Sequence, residues 1–207
     1  METKYHNPVL LDRSVADLII NPDGVYVDVT FGGGGHSKKI LKALSDKGRL
    51  FAFDQDQDAA ENVLSDSRFE LIQANFKDLK RYLKFYGVKE VDGILADFGV
   101  SSHQFDAEKR GFSTRFEGRL DMRMDQTLAL SAYEVVNDYS KEELISIMKL
   151  YGEVKGAHKI VAAILNHRKE ERIETTTDLI ALIKPMIPER FLNKILAQVF
   201  QAIRIEV

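Results

Sequence analysis

Val25-Tyr-Val-Asp-Val-Thr-Phe-Gly-Gly-Gly-Gly-His36 is the stretch on which the reading of the fold turns. A short apolar strand runs into an acid and then into four consecutive glycines, Gly32 to Gly35. The segment that follows, Ser37 to Leu44, puts Ile40, Leu41 and Leu44 on one helical face. Glycine has no Cβ, so it reaches positive φ and lets a ligand approach the backbone closely. A helix start behind it offers N–H groups with no intrahelical partner. Strand, glycine turn and helix start, in that order, build a place where a ligand touches main chain.

Working outward, strand and helix signals alternate through the first half. Strands are predicted over Val25–Val29, Arg49–Phe53 (ending at Asp54), Phe69–Gln73 and Val91–Ala96 (ending at Asp97). Helices are predicted over Ser37–Leu44, Asp58–Leu64 and Lys77–Tyr86. Strands separated by helices of this length imply βαβ units and a parallel sheet, so the fold class is α/β. Residues 98–127 are rich in Gly, Ser, Arg and Phe with weak periodicity, as expected of a functional or disordered loop. Beyond Ser131 the pattern is helical. Ser140-Lys-Glu-Glu143 reads as a capping box. Apolar faces follow at Leu144, Ile145, Met148 and Tyr151, then at Ile160, Val161, Ile164 and Leu165. Two more lie at Leu179, Ile180 and Ile183, and at Phe191, Ile195, Leu196, Val199, Phe200 and Ile203. The organisation expected is a cofactor-binding part over residues 1–104, a lid or substrate loop over 105–127, and a helical substrate-recognition subdomain over 128–207.

Composition narrows the class. The chain has 207 residues, 44% of them hydrophobic and 29% charged, which suits one soluble domain or one with a smaller second one. A net charge of −3 carries no global basic signature, so nucleic-acid binding would need a local surface. Without cysteine there are no disulfides or thiolate metal sites, and the five histidines are scattered, so no metal is expected. The first residues lack the pattern of a secretory signal, and no apolar run approaches the ~20 residues of a membrane span. The expectation is a cytoplasmic globular protein with no membrane partner.

The glycine run is then weighed against its possible ligands. Asp28, Asp54 and Asp97 each end a strand, and in open α/β sheets the ligand crevice lies outside the carboxyl ends of the strands. All three acids are therefore expected to point into one crevice. A dinucleotide fingerprint beginning at Gly32 would need a glycine where Ser37 stands, and a phosphate loop would need a lysine before Ser37, where His36 stands. Asp28, Gly32 and Gly34 instead resemble the first motif of S-adenosylmethionine-dependent methyltransferases. That ligand has no phosphate to neutralise; its amino-acid end needs backbone room and an acid, and its ribose diol suits a carboxylate such as Asp54. Asp54 also reads as a strand-end turn residue, and Asp56 and Asp58 as helix-start acids.

Six blocks then occur in order: His6-Asn-Pro-Val-Leu-Leu11, Tyr26 to Ser37, Asp92-Gly-Ile-Leu-Ala-Asp-Phe-Gly-Val-Ser-Ser102, Arg110-Gly-Phe-Ser113, Leu120-Asp-Met-Arg-Met-Asp125 and Phe200-Gln-Ala-Ile-Arg-Ile205. Together they closely resemble the ribosomal RNA small subunit methyltransferase H family. The resemblance spans essentially the whole chain. It implies a Rossmann-like parallel sheet of the S-adenosylmethionine-dependent methyltransferase type, incomplete here, with an inserted helical subdomain. It implies methylation of N4 of a cytidine in the decoding region of 16S rRNA, with S-adenosylmethionine as cofactor and the small ribosomal subunit as partner. Cofactor contacts carry over onto Gly34, Gly35, His36, Asp54, Phe76, Asp97 and Gln104. Phe76 would pack beside the adenine or simply in the core; Gln104 would bond the adenine edge or the methionine end, or be a solvated loop residue. The chain departs from the family in three places. Phe98-Gly-Val-Ser-Ser-His103-Gln-Phe105 stands where Leu-Gly-Val-Ser-Ser-Pro-Gln-Leu is common. Arg119 replaces a proline before Leu120. Lys194-Ile-Leu-Ala-Gln198 replaces a Pro-Ala-Thr-Arg element. Family members also continue for roughly another third of a chain, so a C-terminal truncation with an unpaired sheet edge is expected.

For the transfer itself, the amine must be oriented and its N–H must meet an acceptor. Asp97 is the first candidate, or it holds only the cofactor. Asp121 and Asp125, among Arg119 and Arg123, are the second, or they form an internal salt-bridge network. Phe105, Phe112 and Phe116 interleaved with Arg110, Arg115, Arg119 and Arg123 suit RNA contact, with a folded lid as the other reading. Lys155, Lys159, Arg168, Lys169 and Arg172 form either a docking surface or a solvated face. Two other functions stay open at this point: a non-catalytic cofactor- or RNA-binding fragment, and a methyltransferase acting on DNA or a small molecule.

Overall fold

The computed structural model describes residues 8–207, which divide into two compact units at Ser101/Ser102. The His6-Asn7 part of the first sequence block lies outside the described residues.

The first unit is a parallel sheet between helices. In chain order it comprises α1 (Leu11–Leu18), β1 (Val25–Asp28), α2 (Gly35–Ala43), β2 (Arg49–Asp54), a 3₁₀ helix over Gln57–Asn62, β3 (Phe69–Gln73), a 3₁₀ turn over Phe76–Asp78, α3 (Leu79–Phe85) and β4 (Gly93–Leu95). The strand order is β3-β2-β1-β4, every pair parallel, so the chain starts in the middle of the sheet and winds out to both edges. Residues that pair in register share a face. Tyr26, Leu50, Ala52, Phe69 and Leu95 turn one way, to a core closed by Val15 of α1 and Ile40 and Leu41 of α2. Val27, Phe51, Phe53 and Ile72 turn the other way, with Leu83 of α3. This is the Rossmann-like α/β arrangement expected. Its strands are near-continuous apolar runs because both faces are covered. Ile94 is the exception: it sits on the α3 face of edge strand β4, half exposed.

Three local expectations shift. The amphipathic stretch Leu11–Leu18 forms a helix that no motif drew attention to, and its Val15 is buried. Helix α2 begins two residues earlier than predicted, so His36 and Ser37 lie in its first turn and are buried. The Asp58–Leu64 helix is a 3₁₀ helix over Gln57–Asn62, started by Asp56, whose carboxylate accepts from the Asp58 N–H at 3.1 Å.

The second unit is helical: α4 (Ser102–Asp106), a 3₁₀ turn at Glu108–Arg110, then α5 (Ala132–Asp138), α6 (Lys141–Leu150), α7 (Ala157–His167), α8 (Thr176–Ile183), a 3₁₀ turn at Lys184–Met186 and α9 (Glu189–Glu206). Capping boxes start α5 (Ser131 with Glu134), α6 (Ser140 with Glu143) and α8 (Thr175 with Asp178), each satisfying backbone donors at a helix start. The predicted apolar faces are largely the buried ones, with Ile147 replacing the more exposed Tyr151 on α6 and Phe191 left half exposed on α9. The segment between Arg110 and Ser131 has little regular structure, yet it is woven into this unit. Phe112, Leu120 and Met122 are fully buried, the Leu120 N–H donates to the Glu174 carbonyl at 2.9 Å, and the Thr176 hydroxyl donates to the Phe116 carbonyl at 2.8 Å.

Candidate cofactor site

The glycine run crosses the carboxyl ends of β1 and β2, and its shape follows from two carboxylates beneath it. Asp28 closes β1 with no solvent exposure. It accepts from the Ser37 hydroxyl at 2.7 Å and from the Thr30 N–H at 3.1 Å, tying the strand end to the first turn of α2. Burial pushes its pKa up, and the Ser37 and Thr30 hydrogen bonds only partly offset this. The expectation that Asp28 points into the crevice is therefore corrected: the side chain faces inward, because it sits on the same face as Tyr26, toward α2. Asp54 ends β2 half-buried. It accepts from the Gly32 N–H at 2.7 Å and the Asp56 N–H at 2.9 Å, and burial again raises its pKa.

Held from below, the loop exposes backbone above. Gly32 and Gly34 have φ of 50° and 72°, the region where side chains are strained. A Cβ at Gly32 would meet nothing within 4 Å, whereas one at Gly34 would reach the Phe31 ring at 3.0 Å. Gly34 is the N-cap of α2 and Gly35 its first residue, and no side chain caps that helix. Asn62 donates to the Gly32 carbonyl at 3.2 Å from the 3₁₀ helix.

Asp97, two residues past β4, completes the group. Its N–H donates to the Thr30 hydroxyl at 2.8 Å, and its carboxylate lies 3.9 Å from Nδ1 of the buried His36. Unlike Asp28, it is open: its side chain is 53% exposed. Phe76, expected beside an adenine or in the core, is exposed, and its ring lies tilted against that of Phe98. Gly34, Gly35, His36, Asp54, Phe76 and Asp97 thus all belong to the carboxyl-end surface of the first unit. Thr30, Ser37 and Asn62 organise it and escaped the sequence reading. Thr30 is recoverable in retrospect, since an acid followed two residues later by threonine is a common side-chain-to-backbone turn.

The other expected site residues are in the second unit. Gln104 is buried in α4. Asp121 forms a two-pronged pair with Arg123, with bonds of 2.9 and 2.7 Å. Burial works against its ionisation, but the Arg123 hydrogen bonds and charge hold the carboxyl below its usual range. Asp125 accepts from the Thr127 hydroxyl and N–H, which also lowers its pKa. The interleaved aromatic–arginine reading is corrected in part. Phe112 is core, Arg110 is buried and donates to the Arg123 carbonyl at 2.8 Å, and Arg123 is taken by Asp121. Three of the five cations proposed as a docking or solvated face are likewise engaged, Lys169 through the Asn166 side chain at 3.4 Å. Arg168 donates to the Val136 and Tyr139 carbonyls at the end of α5, and Arg172 pairs with Asp138.

Among the described residues no group of three metal-capable side chains forms, and no helix is long and apolar enough to cross a membrane. A central-strand glycine turn, an acid at the end of each inner strand and an open acid after the next strand define the class: a Rossmann-like α/β fold of the methyltransferase type. The chain belongs to the MraW methylase family, whose model matches residues 3–207. It is similar to proteins named ribosomal RNA small subunit methyltransferase H. It is 58% identical over 204 residues to the one from Christiangramia forsetii, covering 99% of this chain and 68% of that one. To that of Flavobacterium johnsoniae it is 57% identical over 204 residues, covering 99% and 68%. To that of Bacteroides fragilis YCH46 it is 51% identical over 206 residues, covering 100% and 68%. The chain thus spans about two thirds of the length of these relatives.

Proposed function

We propose that this chain carries the cofactor site and catalytic acid of an S-adenosylmethionine-dependent methyltransferase that modifies N4 of a cytidine in the decoding region of 16S rRNA. The relatives' names support small-subunit ribosomal RNA as the substrate class. The donor set fits the cofactor. The open space over Gly32 admits a ligand against backbone, and the loop holds no lysine for a phosphate. The uncapped start of α2 offers N–H donors at the methionine end through Gly35 and His36, while the Gly34 N–H is spent on the Phe31 carbonyl at 2.8 Å and Gly34 contributes its turn. Asp54 takes the ribose and Phe76 the adenine face.

When bound, S-adenosylmethionine supplies an electrophilic methyl on sulfur. The residues of this chain orient the amine and manage its proton. The N4 lone pair is delocalised into the cytosine ring, so the amine needs alignment, which contributes about 7–11 kcal/mol in well-oriented reactions. Asp97 accepts the hydrogen bond from N4–H and takes the proton as the N–C bond forms. The observation that carries this assignment is that Asp97, of the three strand-end acids, is the one whose side chain is mostly open, while Asp28 has no solvent exposure and Asp54 is half-buried beneath the loop. Asp121 and Asp125 are second candidates; their partners Arg123 and Thr127 favour a role in shaping the segment that carries them. An extruded cytidine presents N4 to such a site.

The test is methyl transfer from labelled cofactor to unmethylated small subunits, with mass analysis of the product nucleoside. N4-methylcytidine is expected, and Asp97→Asn should slow its formation by about 10²–10⁴-fold, the range for loss of a positioned acid–base group. A different product nucleoside refutes the substrate assignment. Binding of cofactor without turnover refutes catalysis by this chain and leaves a binding module.

A further inference from the structure

Phe76 and Phe98 are 44% and 70% exposed, and their rings touch in a tilted pair with centroids 5.5 Å apart and planes 39° from parallel. Each follows an edge strand by three residues: Phe76 comes after β3, which ends at Gln73, and Phe98 after β4, which ends at Leu95. β3 and β4 are opposite edges of the sheet, three strand spacings or about 14 Å apart. For their rings to touch, both loops must lean inward over the carboxyl ends of β1 and β2. That is the surface occupied by the glycine loop, Asp54 and Asp97. A benzyl side chain so exposed recovers little of the free energy that burial would bring. Here two of them arch over the one crevice where a flat ligand is expected.

We propose that Phe98 is the second wall of a purine clamp, in which the adenine of the cofactor inserts between the Phe76 and Phe98 rings. The inference rests on the cofactor reading given above. A separation of 5.5 Å is direct contact between two rings. A base between them needs about 7 Å, twice the usual stacking distance, so the rings part by about 1.5 Å. Insertion exchanges one ring–ring contact for two and buries faces that now meet water. Asp97 precedes Phe98 directly, so the same loop that aims the acid also closes on the base.

The experiment is calorimetric titration of S-adenosylhomocysteine into wild type, Phe98→Ala and Phe98→Leu. In parallel, hypochromism and induced circular dichroism of the adenine band are read, with little interference because the chain lacks tryptophan. Phe98→Ala should weaken binding about three- to tenfold, as expected for loss of one aromatic stacking partner, and should diminish the adenine signal. Phe98→Leu should retain more of the affinity but show the same loss of signal. Phe85→Ala, which removes another exposed aromatic, should change neither. Because Phe98 is exposed, the ligand-free unfolding midpoints should match. Unchanged affinity and unchanged adenine signal in Phe98→Ala, with wild type binding normally, overturn the clamp alone. Absence of binding to wild type overturns the cofactor reading and the clamp with it.

Discussion

Asp28 carries the sharpest energetic consequence of a single side chain. It is a carboxylate without solvent contact, kept by bonds to Ser37 and Thr30 and opposed by burial. Removing its acceptor atoms leaves the Ser37 hydroxyl and the Thr30 N–H unsatisfied. Asp28→Ala should therefore cost about 1–3 kcal/mol in urea unfolding. Asp28→Asn keeps an acceptor for Thr30 and an amide for the Ser37 hydroxyl, and it carries no charge to desolvate. It should lie within about 1 kcal/mol of wild type at neutral pH. A large loss in the asparagine variant would contradict the account of Asp28 as a neutral-tolerant brace. Asp97 answers to different physics: it is exposed and adjacent to the ligand surface, so its replacement should act on rate with little effect on stability.

At the scale of the element, the strand–loop–helix unit over Val25–Ala43 works because two of its glycines do different things. Gly34 sits at φ 72° with the Phe31 ring 3.0 Å from any added Cβ, so Gly34→Ala meets both strain and crowding. Gly32 sits at φ 50° with open space above it. Gly32→Ala should cost only about 1–2 kcal/mol of stability, the left-handed penalty for a side chain. The methyl it adds projects into the ligand's space, so affinity for S-adenosylhomocysteine should fall by at least tenfold. Gly34→Ala should lower the unfolding midpoint more than Gly32→Ala does. Parallel thermal melts and calorimetry separate the two effects; equal loss of stability with intact binding in both would refute the division of labour.

Across the molecule, the buried strand-end carboxylates and the ion-paired or capping ones are tuned in opposite directions, and the first unit holds both kinds, since the Arg68 guanidinium lowers Asp66 to about 2. In the first unit, Asp28 and Asp54 have native pKa values raised above 3.8 by burial. A raised acid contributes stability that is fully present below its unfolded pKa and is lost as pH rises through the native one. In the second unit, Asp121, Asp125 and Asp178 are lowered from 3.8, and Glu134 and Glu143 from 4.5. Their stability is present above the unfolded values and is lost as pH falls through the native ones. Acidification from neutrality toward about pH 4 should therefore increase amide protection in β1 and β2. Below about pH 4 protection should fall in α5, α6 and α8, and in the first unit around the Asp66–Arg68 pair, whose acid is lowered to about 2. Hydrogen exchange across that range checks the sign in each unit, and Asp28→Asn should flatten the slope in β1.

Much of this was legible in the sequence because it is local. Alternating apolar runs define β1 to β4, a 3.6-residue period defines the faces of α6 to α9, and contiguous blocks mark the family. The glycine run and the acids Asp54 and Asp97, each marked by its own local strand-end pattern, pointed to the carboxyl-end surface proposed above for the ligand. What the tertiary structure alone decided is non-local. Packing of α2 on the Tyr26 face of β1 buries Asp28 against Ser37, while Asp97, beyond the end of β4, stays open, so two acids with the same strand-end signature have different chemistry. The strand order β3-β2-β1-β4 puts Phe76 and Phe98 after opposite sheet edges, and only the folded loops bring them together. Packing of the segment after Arg110 buries Phe112 and commits Arg110 and Arg123 to internal partners, although their sequence pattern reads as a nucleic-acid surface. Periodicity specifies which residues form an element; burial and pairing depend on what that element is packed against, and that is set only when the whole chain has closed.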